Sequence, residues 1–231
     1  MEDRLILEIS EWVAEAGLAG ASETELVDGF CRRLVEYGVP LTRVVALIDT
    51  LHPVLEARTF HWHRRKNETT ASEYARSLAR ENEDKWLKSP FHYLMESGGK
   101  SLRCRFIDGD CPSDRFPVMG ELRDEGITDY LAVSTLFGKS MTIGMMDSLV
   151  SSWSTDGPDG FDETHITIME RSLPFLALAI RDLRKTPVED PSVLRDAADS
   201  RTRPEAYRMS SDFRARFNGW PIHEPSAGQG A

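Results

Sequence analysis

An α+β fold is predicted, with an antiparallel sheet and the N-terminal and C-terminal helices packed on one of its faces. Three features carry the expectation. Two amphipathic helical patterns open the chain, β-branched or alternating apolar runs fill its middle, and a long three-four apolar repeat runs from Asp162 to Leu183.

Leu5, Ile9, Trp12, Val13 and Ala16 recur at helical spacing before Gly17 and Gly20, which marks a first helix. Ser22 and Glu25 form a capping-box pattern ahead of Leu26, Phe30, Leu34 and Tyr37, and Gly38 sits where a C-terminal cap belongs. Arg43 to Thr50 and Arg58 to Arg64 read as neighbouring antiparallel strands, joined through the Leu51-His52-Pro53 turn. Asn67 to Lys88 is polar and reads as a surface excursion. Ser89-Pro90 opens a short helix ended by Gly98-Gly99, and Leu102 to Ile107 follows as a strand. Phe116 to Glu125 is another short helix. Tyr130 to Phe137 and Met141 to Val150 then read as a hairpin about Gly138-Lys139, its second strand extending toward Trp153. Asp162 caps the last helix, and Pro174 inside it is expected to bend it. The domain is thus placed at residues 1–185. Residues 186–231 read as a Pro-rich and charged linker with a possible short helix and a frayed end.

Composition narrows the function. A formal net charge of −10 opposes nucleic acid or an anionic membrane as the main partner, since both reward clustered Lys and Arg. No run approaches the roughly 20 apolar residues that cross a bilayer, and the acidic N-terminus does not suit a signal peptide, so a cytoplasmic location is expected. Cys31, Cys104 and Cys111 lack metal-site spacing and read as buried small hydrophobes, with Cys104 and Cys111 a redox pair if a turn joins them.

Four segments, in order, carry a family resemblance. They are Pro40-Leu41-Thr42-Arg43 leading to Leu51-His52-Pro53 and Trp62; Ser89-Pro90-Phe91; Phe116-Pro117-Val118 with Glu121-Leu122-Arg123 and Thr128-Asp129-Tyr130; and Ser154-Thr155-Asp156 with Gly160-Phe161. Over roughly residues 5 to 184 the chain resembles the GAF-like regulatory domain that precedes the catalytic domain of bacterial class III adenylate cyclases. The resemblance implies a GAF-like sheet, a sensory or regulatory role, and signalling through cyclic nucleotides. The paired metal-binding Asp residues of such a catalytic domain do not follow Leu183, so the chain reads as a free-standing sensor or a regulatory fragment, with no catalytic residue and no adenylate cyclase activity of its own.

Candidate site residues follow from residue type. His52, Trp62, Tyr130 and Trp153 are the choices for a ligand pocket, although each also suits plain structure as a turn or core residue. His61 and His63 share one strand face but lack a readable third ligand, which favours hydrogen-bonded histidines over a metal site. Asp156 to Gly160 has the wrong acidic spacing for a calcium loop and reads as a tight turn. Glu121, Arg123 and Asp129 form a conceivable acid-base set. No cofactor is indicated. Ile166, Met169, Leu173, Leu176, Ile180 and Leu183 have coiled-coil spacing and are the expected interface of a homodimer, the alternative being that the sheet and the helix containing Trp12 consume the stripe. The expected partners are therefore a second copy and either a small molecule or a signalling protein. A pure interaction module without a pocket is the alternative, and a small-molecule enzyme a third reading. A cavity well below roughly 300 Å³ would favour the module.

Overall fold

The computed structural model describes residues 2–49, 55–66, 69–75, 85–109, 111, 115–136 and 148–183. His52, the Gly138-Lys139 turn and the linker assigned to 186–231 lie outside these residues. The chain divides into two units, Met1–Pro191 and Ser192–Ala231, of which the second is also outside them.

In chain order the elements are helices α1 (Glu2–Leu18) and α2 (Glu23–Glu36), strands β1 (Arg43–Asp49), β2 (Leu55–His63) and β3 (Thr70–Ala75), helix α3 (Pro90–Ser97), strand β4 (Ser101–Arg105), helix α4 (Pro117–Asp124), strands β5 (Asp129–Leu136) and β6 (Ser148–Thr155), and helix α5 (Glu163–Leu183). The strands form one six-stranded antiparallel sheet in the order β3-β2-β1-β6-β5-β4. The α+β architecture expected from the sequence is present, with α1, α2 and α5 on one face of the sheet.

Local chemistry sets the helix starts. The Ser22 hydroxyl accepts from the Glu25 backbone N–H at 3.3 Å while the Glu25 carboxylate accepts from the Ser22 N–H at 2.7 Å, so two otherwise unpaired donors are satisfied reciprocally. Ser89 caps α3 by accepting from the His92 N–H, with Pro90 in the first turn. Asp162 caps α5 by accepting from the His165 N–H at 2.7 Å. The α1–α2 crossing is close. Arg33 stacks its guanidinium 3.8 Å from the centre of the Trp12 ring, and a Cβ at Gly29 would stand 2.5 Å from Trp12 Cζ2.

Strand β3 falls within the segment whose polar sequence predicts a surface excursion. Its Thr-Ala-Ser-Glu-Tyr-Ala run has no apolar alternation, because an edge strand is hydrogen-bonded on one side only and, at Ala71 and Ser72, is exposed. Strand β2 also begins before the expected Arg58, at Leu55, where it pairs with Ala75 of β3. Strand β4 is shorter than expected, since Phe106–Asp108 form a 3-10 turn closed by Gly109 at φ +76°.

The stripe of α5 assigned to a dimer interface is a correction. Met169, Leu173, Leu176 and Ile180 are at most 1% exposed, and Ile166 and Leu183 pack against the same core. The reason is the parallel packing of α1 on α5. Glu2 accepts from the Thr164 hydroxyl, Asp3 pairs with Arg171 at 2.6 Å, and a Cβ on Gly17 would touch Ala179. The stripe is thereby consumed between the sheet, α1 and α2. The apolar residues that α5 turns outward are Phe175 and Leu178, 45% and 56% exposed. Pro174 lies within the uninterrupted span of α5.

Candidate functional site

Strand alternation sends successive side chains to opposite faces. Trp62 and Trp153 both stand opposite Val44, and Phe60 stands opposite Ala46; all belong to the core beneath α1, α2 and α5. The intervening residues form three cross-strand rows on the other face. The first runs His63, Arg43, Ser154, Tyr130, Cys104; the second His61, Val45, Ser152, Ala132, Leu102; the third Thr59, Leu47, Val150, Ser134. Helices α3 and α4 cover the β4–β5 half of this face through Leu94, Met119 and Leu122, joined by Phe116 and Ile127.

At the His63 end of the first row lies a cavity of about 320 Å³ lined by Thr42, Arg43, His63, Arg65, Glu125, Ile127 and Asp156. Four elements position these groups. Thr42 and Arg43 enter β1, His63 and Arg65 leave β2, Glu125 and Ile127 follow α4, and Asp156 follows β6. Glu125 pairs with Arg43 at 3.2 Å. Asp156 accepts from the Thr42 hydroxyl at 2.6 Å and from Arg64 at 2.8 Å, and its backbone N–H donates back to Thr42 Oγ1 at 3.0 Å. The Thr42 hydrogen bond, helped by Arg64, holds the Asp156 carboxyl below the ordinary range. His63 Nδ1 accepts from the Arg65 N–H at 3.1 Å, which leaves Nε2 for another partner.

Arg43, Arg64, Arg65 and Lys66 gather positive charge in this corner of an acidic chain. Burial is the main cause that lowers the pKa of both His61 and His63, and the nearby cations lower it further. Behind them Tyr130 is buried; desolvation pushes its phenol well up, with the Ser152 hydroxyl and Arg43 partly opposing. The phenol is therefore a neutral hydroxyl. The Thr59 hydroxyl in the third row is buried and has no hydrogen-bond partner. The face thus combines neutral donors and acceptors with an arginine-rich mouth, an arrangement suited to a small polar ligand.

The residues assigned from sequence do not converge. Tyr130 is on the face with the cavity. Trp62 and Trp153 are on the opposite face, 3% and 1% exposed, where Trp153 donates to Ser151 at 3.0 Å and packs 5.9 Å from Phe30 between ring centres. They line the core instead of the cavity, because both share the phase of Val44. His52 lies outside the described residues. His61 and His63 occupy alternate positions of β2 as expected, and among the described residues no group of three His, Cys, Asp or Glu is placed to hold a metal ion. Asp156 to Gly160 is a turn, closed by the Gly160 N–H donating to Gly157 at 3.0 Å. The supposed acid-base set is separated by partner. Glu121 and Arg123 are exposed, while Asp129, fully buried, accepts from Arg103 at 2.8 Å and from the Phe161 N–H at 2.9 Å. It is a latch between β5 and the approach to α5. Gly160, at φ +72°, is required there, since a Cβ would stand 2.7 Å from Asp129 Oδ2.

Sequence reasoning missed Thr42, Arg43, Arg65, Glu125, Ile127 and Asp156 as cavity residues. Several lie in the family-like segments, but only the strand order β2-β1-β6-β5 brings those segment ends together.

No protein-family model matches the sequence, and no curated protein resembles it closely enough to count as a relative. Among solved structures, the GAF domain of a two-component sensor histidine kinase from Bacillus halodurans superposes with a TM-score of 0.43 at 11% identity, over 67% of this chain and 93% of that one. The N-acylhomoserine lactone dependent LuxR family transcription factor CepR2 from Burkholderia cenocepacia superposes with a TM-score of 0.47 at 13% identity, over 81% of this chain and 99% of that one. The described part of the chain has an α+β fold: one six-stranded antiparallel sheet, with terminal helices on one face and short helices on the other. Among the described residues no helix is long and apolar enough to cross a membrane.

Proposed function

We propose that the chain is a non-catalytic sensory domain that binds a small polar molecule at the mouth of the Tyr130 face. The observation that carries this is the cavity of about 320 Å³ among Thr42, Arg43, His63 and Asp156. It falls within the roughly 300 to 1,000 Å³ of small-molecule sites, so a module with no pocket is the weaker reading. In the proposed complex Arg43 and Arg65 offer charged donors, Glu125 and Asp156 offer acceptors, and His63 offers a neutral imidazole. A ligand carrying both donors and acceptors can exchange with the existing ion pairs without leaving a charge unpaired.

The output is proposed to pass through a homodimer. Phe175 and Leu178 on the outward side of α5 supply the apolar contact, in place of the buried stripe. The four family-like segments are the basis for placing that output in adenylate cyclase regulation. The chain by itself is expected to form no cyclic AMP from ATP with magnesium or manganese, and turnover that survives repurification would remove the non-catalytic reading.

Native mass spectrometry of the purified chain tests the ligand. The expected result is a noncovalent small-molecule adduct that is lost in Arg43→Gln, with circular dichroism unchanged. A bare chain whose melting temperature no metabolite raises would favour the interaction module. Light scattering tests the dimer: Leu178→Glu is expected to halve the mass of a folded protein, and a monomeric parent chain at tens of micromolar would end that part of the proposal.

A further inference from the structure

The pair Cys104 and Cys111 takes no part in the proposed ligand site, yet the fold brings it together. The two residues are seven positions apart, their Cα atoms are 5.4 Å apart, and the two sulfurs are bonded. That Cα separation lies within the roughly 4.4 to 6.8 Å that a disulfide requires. The approach is made by the 3-10 turn Phe106–Asp108, closed by the Gly109 N–H donating to Phe106 at 3.3 Å.

The two cysteines differ in access. Cys104 is 4% exposed, stands opposite Tyr130 across β4 and β5, and packs in the cluster with Phe116, Met119 and Leu122. Cys111 is half-buried and packs against the edge of that cluster. The remaining cysteine, Cys31, is fully buried in the other core, where burial pushes its thiol well up, so it competes for neither sulfur. Cys111 lies in the chain between β4 and α4. A bond to Cys104 therefore fastens the approach of α4 to the strand beneath it, and α4 is part of the cover on the Tyr130 face.

We propose that Cys104 and Cys111 form a reversible redox site, oxidised by low-molecular-weight disulfides and reduced by the corresponding thiols, that fastens and releases the α4 cover of the Tyr130 face. In oxidation the Cys111 thiolate attacks one sulfur of the disulfide RSSR, forming Cys111–S–SR and expelling RS⁻. The Cys104 thiolate then attacks Cys111 Sγ, the new bond forms and the second RS⁻ leaves. Two protein thiols and RSSR give one protein disulfide and two RSH, and the reverse sequence consumes two RSH. The ring is short, so closing it restrains the unfolded chain less than a long loop would. The redox site requires that release of the bond change the cover while the domain stays folded, which hydrogen exchange reads directly. The proposal does not depend on what the cavity binds.

The full chain is equilibrated with oxidised or reduced glutathione, quenched, denatured and alkylated, and the labels are counted by mass spectrometry. One label after oxidised glutathione and three after reduced are expected, matching the three cysteines of the sequence. Cys111→Ser is expected to carry two labels in both conditions. Three labels after oxidised glutathione, a persistent glutathione adduct on Cys111, or disulfide-linked chains would each overturn the site. Hydrogen exchange on the same samples then reads the cover. Loss of protection across 115–127 on reduction is expected, with Cys111→Ser behaving as the reduced protein in both buffers. Equal exchange in the two redox states of a folded chain would overturn the fastening, and Cys111→Ser keeps the test open if replacement of the buried Cys104 prevents folding.

Discussion

On one face of the sheet Phe60, Trp62 and Trp153 meet three helices and lie at most 3% exposed, whereas on the other His63, Arg43, Ser154 and Tyr130 form a row that ends in a cavity. The strands are the same; only the phase of alternation differs. The helix face gains stability from apolar area removed from water, at roughly 25 cal/mol per Å². The second face gives up part of that gain by placing Ser152, Ser154 and Thr59 where apolar side chains would fit. A division between a closed face that stabilises and a polar face proposed to bind makes specific demands on substitutions.

The largest effect is expected at Trp153. Trp153→Ala removes a fully buried ring packed on Phe30 and is expected to cost about 3 to 5 kcal/mol in denaturant unfolding. Tyr130→Phe on the opposite face keeps the ring and deletes one hydroxyl, so a cost of about 0.5 to 1.5 kcal/mol is expected. Equal costs at the two positions would remove the distinction. Gly29→Ala comes next. In an open helix this change stabilises by about 1 kcal/mol, but here the new methyl meets the Trp12 ring and a net loss of about 1 to 3 kcal/mol is expected. A rise in melting temperature would show that α1 is not held against α2 as described.

Acid sharpens the comparison through histidines of the second face. His61 and His63 have folded-state pKa values below the ordinary 6.5, because burial and nearby cations disfavour their charged forms. Above pH 6.5 both folded and unfolded chains hold them neutral. As pH falls below that value the unfolded chain takes up protons first, so stability declines until the folded-state values are passed. His92, also lowered mainly by burial, acts in the same direction. Melting temperature is expected to fall between pH 7.5 and 5.5, with a shallower slope in His61→Gln. An unchanged slope in that variant would place the imidazole in open solvent.

Sequence periodicity made the helix face legible almost residue by residue. The spacing of Leu26, Phe30 and Leu34, the long stripe of α5, and the phase of Phe60 and Trp62 all identify groups that must leave water. It misled where burial and partner are separate questions: Met169, Leu173, Leu176 and Ile180 are buried as their spacing demands, but by α1 and the sheet of the same chain. The cavity was far less legible. Arg43, His63 and Asp156 are ordinary strand-end residues until β1 is known to lie between β2 and β6, and no local pattern encodes that order. Residue type alone groups Tyr130 with two tryptophans as large aromatics suited to a pocket, yet its phase on β5 matches Ala132 and opposes Leu131. Strand β3 escaped notice because an exposed edge needs no apolar code.

The smallest stability effect is expected where the proposed function is concentrated. Arg43 spans the cavity mouth with its guanidinium 3.2 Å from Glu125, and both side chains remain partly in solvent. Such pairs contribute about 0 to 1 kcal/mol, since water and salt screen the attraction and two long side chains lose freedom in making it. Arg43→Gln keeps the aliphatic stem and an amide that can still donate to Glu125, so a change below about 1 kcal/mol in chemical denaturation is expected. Removing this cation also relieves His61 and His63, whose protonated forms it repels, and their NMR titrations are expected to move upward in the variant. A large stability loss would make Arg43 a structural residue of the sheet end. Unmoved histidine titrations would show that its charge does not reach the row it is proposed to serve.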